Sequence, residues 1–457
     1  MALPIERRRA TSPRLRRALV LAAALPTFLA SGLLFLTPSV GAELSGGYIV
    51  VLKDDVPDVA GTTAAQVQQY GGSEAHTFDA ALKGYAARMT ASEAARLGTD
   101  PSVQFVTKDR QFHLEDVNVP QNPAPSVVRV GADRSSTEAG DGTGSVDVNI
   151  AIIDTGIDGT HPDLNSHAGT DCSSGSAVTP GTSLTDTHGH GTFVAGVAGA
   201  RDNAIGTVGT APGANLWSVK VMDPAGNISL ESLVCAVDWV TSTRTDADQS
   251  NDIDVANISI GGPGADDGQC GRVNADALHR AICGSVDKGV TYVVAAGNTT
   301  EDIAGVMPAT YDEVLTATAI SDFDGQPGGL VTQPECDGQK LTTVQDDVVA
   351  FFSNYATQDA DKAHTIAAPG VCMHSTVPGG YGTMHGTSFA SPTVAGTVAL
   401  CMVSDVCDYR WGTKNIGVMT AATKEHNIAF PDYGFVGDPL RPTDGRYYGY
   451  LVRESIF

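Results

Sequence analysis

Hydrophobic positions along the chain fall into three regimes, each predicting a different kind of structure. In the first, residues 18–36 are almost continuously apolar, follow a basic region (Arg7, Arg8, Arg9, Arg14, Arg16, Arg17) and give way to the small residues Val40-Gly41-Ala42. That order predicts an export signal over 1–42. The run is long enough to anchor in a membrane, but Pro26 and the small-residue exit favour cleavage. In the second regime, short alternating stretches predict a compact α+β unit up to about residue 115. Residues 48–52 and 85–89 read as strands, and 62–70 as a helix stopped by Gly71-Gly72. Thr90-Ala91-Ser92-Glu93 has the spacing of a capping box opening a second helix, and 103–106 reads as a further strand.

The third regime follows residues 117–145, whose proline, glycine and serine content predicts a linker and surface loop. Residues 146–153 are apolar almost throughout, as expected of a parallel strand buried on both faces, and end at Asp154. A helix is predicted from His190 through Val194, Val197 and Ala198, then a strand over 215–221. Leu230, Leu233, Val234, Val237 and Val240 mark one face of the next helix. A strand at 253–260, a helix at 277–288 stopped by Gly289, and a strand at 290–296 continue the alternation. That order predicts an α/β sheet with crossovers. Residues 321–350 read as a polar loop. Gly386-Thr387 then turns tightly into a helix with Ser388 at its start and Pro392 in or near its first turn. An aromatic, strand-like piece at 447–452 has no role legible in the pattern.

Charge narrows the function. The formal net charge is −24, and six of the arginines lie in the first 17 residues, so the remainder is more acidic still. Such a surface excludes nucleic acid and anionic membranes as partners and suits a soluble extracellular protein. It also leaves carboxylates for calcium, with Asp322-Phe323-Asp324-Gly325 the candidate loop against the plainer reading of a solvated turn. All eight cysteines lie beyond residue 171; an even count behind an export signal predicts disulfides, with no pairing assignable.

A lone serine before a helix is ordinarily an N-cap. Here Asp154 at a strand end and His190 at a helix start supply the other parts of an acyl-transfer triad, with Ser388 as nucleophile, His190 as base and Asp154 holding the imidazole tautomer. Ala295-Ala296-Gly297-Asn298 ends a strand and would aim the Asn298 amide at a developing oxyanion. The His188-Gly189-His190 spacing hints at a metal, but no further ligands cluster near it in the sequence.

The motifs DTGID at 154–158, HGHGTFVAG around His190, NISIGG at 257–262, AAGN ending at Asn298 and GTSFASP around Ser388, in this order, resemble those of the secreted subtilisin-like serine proteases, nearest the proteinase K branch. The resemblance spans roughly 46–425. It implies a three-layer α/β domain with a mostly parallel sheet at 117–457, extended from about 426, preceded by a small α+β inhibitory propeptide at 43–116. Processing is expected between His113 and Asn118. It also implies a secreted, autoprocessed serine endopeptidase of broad specificity, apolar or aromatic before the cut. Asp154, His190 and Ser388 would be catalytic, with Asn298 and the Ser388 N–H in the oxyanion hole. Ser259, Ile260, Gly261 and Gly262, with Ala295, Ala296 and Gly297, would bind substrate. No catalytic cofactor is implied; structural calcium is, with Asp322 the ligand candidate. Peptide or protein substrates and its own propeptide would be the partners of a monomer without stable membrane association. Phe193 replaces the second histidine of the familiar HGTH, outside the triad positions. Two other classes fit the sequence less well. A catalytically silent binder would need none of Asp154, His190, Asn298 and Ser388. An α/β-hydrolase esterase would require the order Ser, Asp, His.

Overall fold

The computed structural model describes residues 46–53, 55–78, 83–108, 121, 123–174 and 182–457. The predicted export signal and the expected processing bond lie outside these residues. The chain divides into two compact units, Met1–Glu115 and Asp116–Phe457.

In the first unit, β1 (Gly46–Leu52), α1 (Val59–Tyr70), β2 (Ser73–Phe78), β3 (Gly84–Met89), α2 (Ala91–Leu97) and β4 (Val103–Lys108) build an antiparallel sheet ordered β2-β3-β1-β4. Val50, Leu52, Tyr85, Met89 and Leu97 form its core. The capping box closes as predicted: the Glu93 N–H donates to Thr90 Oγ1 at 3.2 Å, and the Glu93 carboxylate accepts the Thr90 N–H at 2.7 Å. The pattern missed β2, an edge strand whose sequence SEAHTF is too polar to read as one.

The second unit opens with α3 (Pro125–Val130), β5 (Asn149–Asp154), β6 (Ser166–Asp171), α4 (His190–Gly199) and β7 (Asn215–Lys220). There follow α5 (Leu230–Thr243), β8 (Val255–Ile258), β9 (Gly262–Pro263), α6 (Ala277–Val286), β10 (Thr291–Ala295), β11 (Val306–Met307) and β12 (Val314–Ser321). Short β13 (Glu335–Cys336), β14 (Gln339–Lys340) and β15 (Val348–Val349) precede α7 (Asp359–Ala363) and β16 (Thr365–Pro369). The hairpin β17 (Met373–Val377) and β18 (Gly380–Met384) leads to α8 (Thr387–Val403) and α9 (Gly412–Ala429). The main sheet runs β15-β12-β10-β8-β5-β7-β6, with β16 beside β12. Its pairings are parallel except that of β15. Burial on both faces is explicit in β5. Ile150 and Ile152 pack with α4 and α8, while Ala151 and Ile153 pack with α5 and α6. Those two cores make the three layers.

Two expectations change. Residues 125–130, read as linker, form α3, with Pro125 at its first position and Gly131 closing it at φ 82°. Its Val127, Arg129 and Val130 are buried, so tertiary packing overrode a loop-like composition. Residues 447–452 make isolated bridges (Ala356 with Tyr447, Ala367 with Leu451) instead of a strand, because Gly449 at φ 82° breaks the run. Tyr448 and Leu451 join Tyr433, Phe435, Ile320 and Ala367 in a small core, which gives the C-terminal piece its packing role. Pro392 falls in the second turn of α8. The cysteines pair as Cys172–Cys235, Cys270–Cys283, Cys336–Cys372 and Cys401–Cys407. Among the described residues, no helix is long and apolar enough to cross a membrane.

Candidate active site

Asp154 ends β5 and His190 begins α4, so a strand exit meets a helix start. The two backbones approach so closely that a Cβ on Gly191 would lie 2.1 Å from the Gly156 carbonyl oxygen, and one on Gly156 2.6 Å from that of Thr185. Those glycines let the His190 Nδ1–H donate to Asp154 Oδ1 at 2.8 Å. Asp154 Oδ1 also accepts the Thr155 N–H at 2.8 Å, and the Asp154 carboxylate is fully buried. Burial of the imidazole works to depress its pKa. The charge and hydrogen bond of Asp154, with the charge of Asp186 behind them, outweigh burial and hold His190 above its ordinary value.

Asp186 was not singled out in the sequence, yet it organises this junction. Its Oδ1 accepts from the Thr155 hydroxyl (3.0 Å) and from the N–H groups of His188 (3.0 Å) and Gly189 (2.8 Å). Its Oδ2 accepts from the N–H (2.9 Å) and hydroxyl (2.6 Å) of Thr192. Thr155 Oγ1 in turn accepts the Gly191 N–H at 2.9 Å. One carboxylate therefore ties the β5 exit to the α4 entrance. The only sequence signal was an acid four residues before His190.

Ser388 is the second residue of α8, where backbone N–H groups have no carbonyl one turn back. Thr387 donates its N–H and its hydroxyl to Asn298 Oδ1, both at 2.9 Å. A backbone N–H can only donate, so the atom it meets is the amide oxygen, and the Asn298 NH₂ is the end left for the cleft. Gly297, at φ 102°, donates its N–H to Thr387 Oγ1 at 3.0 Å, binding the β10 exit to the α8 entrance. The Ser388 hydroxyl donates to the Ser259 carbonyl at 3.3 Å, and no hydrogen bond joins it to His190 among the described residues. The ring of Phe389, the next residue, lies 5.4 Å from that of His190 and 4.6 Å from that of Phe193. Phe193 thus fills apolar space behind the histidine.

A cleft of about 400 Å³ opens beside Ser388 and Asn298. Of the predicted substrate-binding residues, Ser259, Gly261, Gly262, Ala295 and Gly297 line it. Ile260 and Ala296 do not: both pack with the core behind β10, Ala296 fully buried. The structure adds Pro263, Val306, Thr299, Asn354 and Glu301 to the lining. Asn354, almost fully buried, accepts the N–H groups of Thr299 (3.0 Å) and Glu301 (2.9 Å) and donates to the Ala296 carbonyl at 3.0 Å. It fixes the path of the chain just past Asn298.

Asp322 lines no part of this cleft. Its Oδ2 faces Arg129 Nε at 2.8 Å and its Oδ1 accepts the Gly325 N–H at 2.7 Å; burial pushes its pKa up to about 8 against the pull of Arg129. Asp324 and Asp346 each bring an oxygen within 4.8 Å of the Asp322 carboxylate. An all-oxygen donor set suits calcium. The carboxylates are partly engaged, however, since Asp346 accepts the N–H groups of Phe323 and Val331.

Residues 145–435 match the subtilase family and residues 47–115 match peptidase inhibitor I9. Subtilisin E of Bacillus subtilis is 31% identical over 366 residues, 78% of this chain and 80% of its own. An alkaline serine protease of Corniculantispora psalliotae is 30% identical over 363 residues, 79% of this chain and 81% of its own. The crystal structure of a cold-adapted subtilisin-like serine proteinase is similar in fold, with a TM-score of 0.51 at 22% identity over 73% of this chain and 98% of the other. The chain belongs to the subtilase family and is a serine endopeptidase, a peptide-bond hydrolase that carries a peptidase inhibitor I9 segment ahead of its catalytic part.

Proposed function

We propose that Asp154, His190 and Ser388 are the catalytic triad of this endopeptidase, with Asn298 Nδ2 and the Ser388 N–H as oxyanion donors. The observation that carries the reading is the 2.8 Å bond from His190 Nδ1 to buried Asp154. It commits Nδ1 as donor and leaves Nε2 as the basic atom. Rotation of the Ser388 hydroxyl away from the Ser259 carbonyl brings it to His190, which takes its proton as Oγ attacks the scissile carbonyl. Charge developing on the carbonyl oxygen meets two N–H groups and the positive end of α8, one such donor being worth about 10²–10³ in rate. His190 then protonates the leaving amine, and water, activated by the same imidazole, cleaves the acyl-enzyme. Subtilases need no catalytic cofactor for this.

The substrate backbone pairs along 259–262, and the apolar walls Ala295, Val306 and Pro263 favour an apolar or aromatic side chain before the cut. Residues 43–116 act as an inhibitory propeptide of the catalytic part at 117–457, removed by the enzyme itself between His113 and Asn118. Residues 1–42 direct secretion, and the mature enzyme works as an extracellular monomer. Calcium, where bound, is held by Asp322, Asp324 and Asp346 as a structural ion. The test is the N-terminal sequence and intact mass of the secreted protein beside its Ser388→Ala variant. A wild type starting near residue 116 and a variant retaining the earlier segment supports self-maturation by Ser388. Full peptide hydrolysis by pure Ser388→Ala protein would sink the assignment.

A further inference from the structure

Beyond residue 435, where the match to the subtilase family ends, the chain lays a fully buried acid, Glu454, against the nucleophile helix. Its N–H donates to the Val130 carbonyl of α3 at 2.8 Å, and its own carbonyl accepts the Phe457 N–H at 2.8 Å. Its Oε1 lies 2.7 Å from the hydroxyl of Thr397, a fully buried residue of α8. Its Oε2 is buried and makes no hydrogen bond among the described residues. The chemistry above uses no part of this junction.

The charged groups around Glu454 do little to hold an anion there. Arg453, its chain neighbour, donates its Nε–H to Ser455 Oγ at 2.6 Å and holds its guanidinium 4.9 Å from the centre of the Tyr433 ring. Tyr433 gives its hydroxyl to the Val452 carbonyl at 2.6 Å. Asp133, in the turn after α3, is a second acid whose charge opposes ionisation of Glu454. Burial pushes the Glu454 carboxyl well above its ordinary range, against the hydrogen bond of Thr397 and the charge of Arg453.

The Thr397 hydroxyl shows where the proton sits. It has one hydrogen and two oxygens in reach, Glu454 Oε1 at 2.7 Å and the Thr393 carbonyl, one turn back in α8, at 2.9 Å. A carbonyl only accepts, so the Thr397 hydrogen belongs on that line; otherwise two oxygens would face each other with no proton between them. The shorter line then needs a hydrogen of its own, and Glu454 supplies it as Oε1–H. A neutral carboxyl also leaves Oε2 as a carbonyl oxygen, which costs less unpaired than half of a buried carboxylate.

We propose that Glu454 is a protonated latch, a neutral carboxylic acid that fastens residues 453–457 to Thr397 of the nucleophile helix and lets them go as pH rises. The ordinary glutamate value is 4.5. Below it the latch contributes fully. Above it the unfolded chain gives up a proton that the folded chain keeps, so the unfolding constant rises about tenfold per pH unit until the native carboxyl ionises as well. Past that point the interior holds an unpaired anion, and hydrating it requires the segment to leave α8.

The test uses the full chain carrying Ser388→Ala to prevent self-digestion, with and without Glu454→Gln, whose amide NH₂ stands in for Oε1–H. Denaturant unfolding from about pH 5 to about pH 9 should give a ratio of unfolding constants, parent over Gln variant, that climbs about tenfold per pH unit before levelling. A ratio that is flat, or that falls as pH rises, would overturn the latch. A second measurement does not depend on the variant folding. With glutamate ¹³C-labelled at Cδ, one carboxyl carbon of the parent should still resonate as a neutral acid at neutral pH, where exposed glutamates are ionised, and Glu454→Gln should remove that signal. A parent in which every glutamate carboxyl is ionised at neutral pH, or a neutral-acid signal that survives Glu454→Gln, would overturn the proposal.

Discussion

Ser259 donates its hydroxyl to the Ser388 carbonyl at 2.7 Å, while Ser388 returns its own hydroxyl to the Ser259 carbonyl at 3.3 Å. The first bond has a cause four residues further on. Pro392 has no N–H, so the Ser388 carbonyl lacks its helical partner, and Ser259 takes that place. A buried chain stands behind it: Ser391 donates to Asn257 Oδ1 at 2.6 Å, and Asn257 Nδ2 donates to Ser259 Oγ at 2.9 Å. Ser259→Ala leaves the carbonyl and the Asn257 amide without partners and should cost about 1–3 kcal/mol. Denaturant unfolding reads that loss; an unchanged midpoint would refute the coupling of the strand exit to the nucleophile.

Asp186 carries the next prediction. Asp186→Asn removes a charge that raises the His190 pKa and one acceptor that orders the start of α4. As general base His190 must be neutral, so activity rises as pH climbs through its pKa. Lowering that pKa therefore moves the acid limb of kcat/KM to lower pH. Loosened geometry should reduce kcat as well, by about tenfold to a hundredfold. A purely structural role predicts lower activity with the limb unmoved, so the pH profile separates the two.

What the sequence made legible follows from how locally each function is encoded. Asp154, His190, Asn298 and Ser388 each sit beside glycines and small residues that only a tight strand exit or helix entrance requires, and the parallel strands showed in runs such as 149–154. Asp186 and Asn354 were opaque because their work is to collect N–H groups from a turn or a distant segment. An isolated Asp or Asn does not advertise that. Ile260 and Ala296 share motifs with cleft residues, but alternation along an extended chain turns them inward. Helix α3 was hidden by its composition, and the cysteine pairing by the many combinations that eight cysteines allow.

Glu301 is the charged residue lining the cleft whose other walls include Ala295, Val306 and Pro263. The apolar walls suit an aromatic side chain, and the carboxylate gives a lysine ammonium a partner at the mouth. Glu301→Gln should lower kcat/KM for substrates with lysine before the cut about fivefold and leave phenylalanine substrates within twofold. Matched peptide pairs measure this. Equal losses for both would place Glu301 in folding of the loop instead of in selection.

For calcium, the three carboxylates Asp322, Asp324 and Asp346 predict that a calcium-selective chelator lowers the melting temperature of the wild type and leaves that of Asp324→Asn unaffected. Identical chelator sensitivity in the two proteins would move any calcium elsewhere.

Arg129 lies behind the same loop, against Asp322. Its buried guanidinium lies 2.8 Å from Asp322 and 2.8 Å from Asp347, and donates to the Tyr433 and Gly434 carbonyls at 2.7 and 3.0 Å. Asp347 Oδ2 accepts the N–H groups of Gly328 and Gly329. One cation thus joins α3, the 322–347 loop and the segment after α9. Arg129→Met leaves the Asp347 carboxylate, and the Asp322 carboxyl whose pKa burial already pushes up to about 8, without a partner in the interior and should cost about 3–5 kcal/mol. The triple variant Arg129→Met, Asp322→Asn, Asp347→Asn removes the orphaned acids and should recover part of that loss. Unfolding midpoints at neutral pH give both numbers. If the triple variant is no more stable than Arg129→Met alone, the lost carbonyl contacts, not the stranded acids, are what the arginine protects.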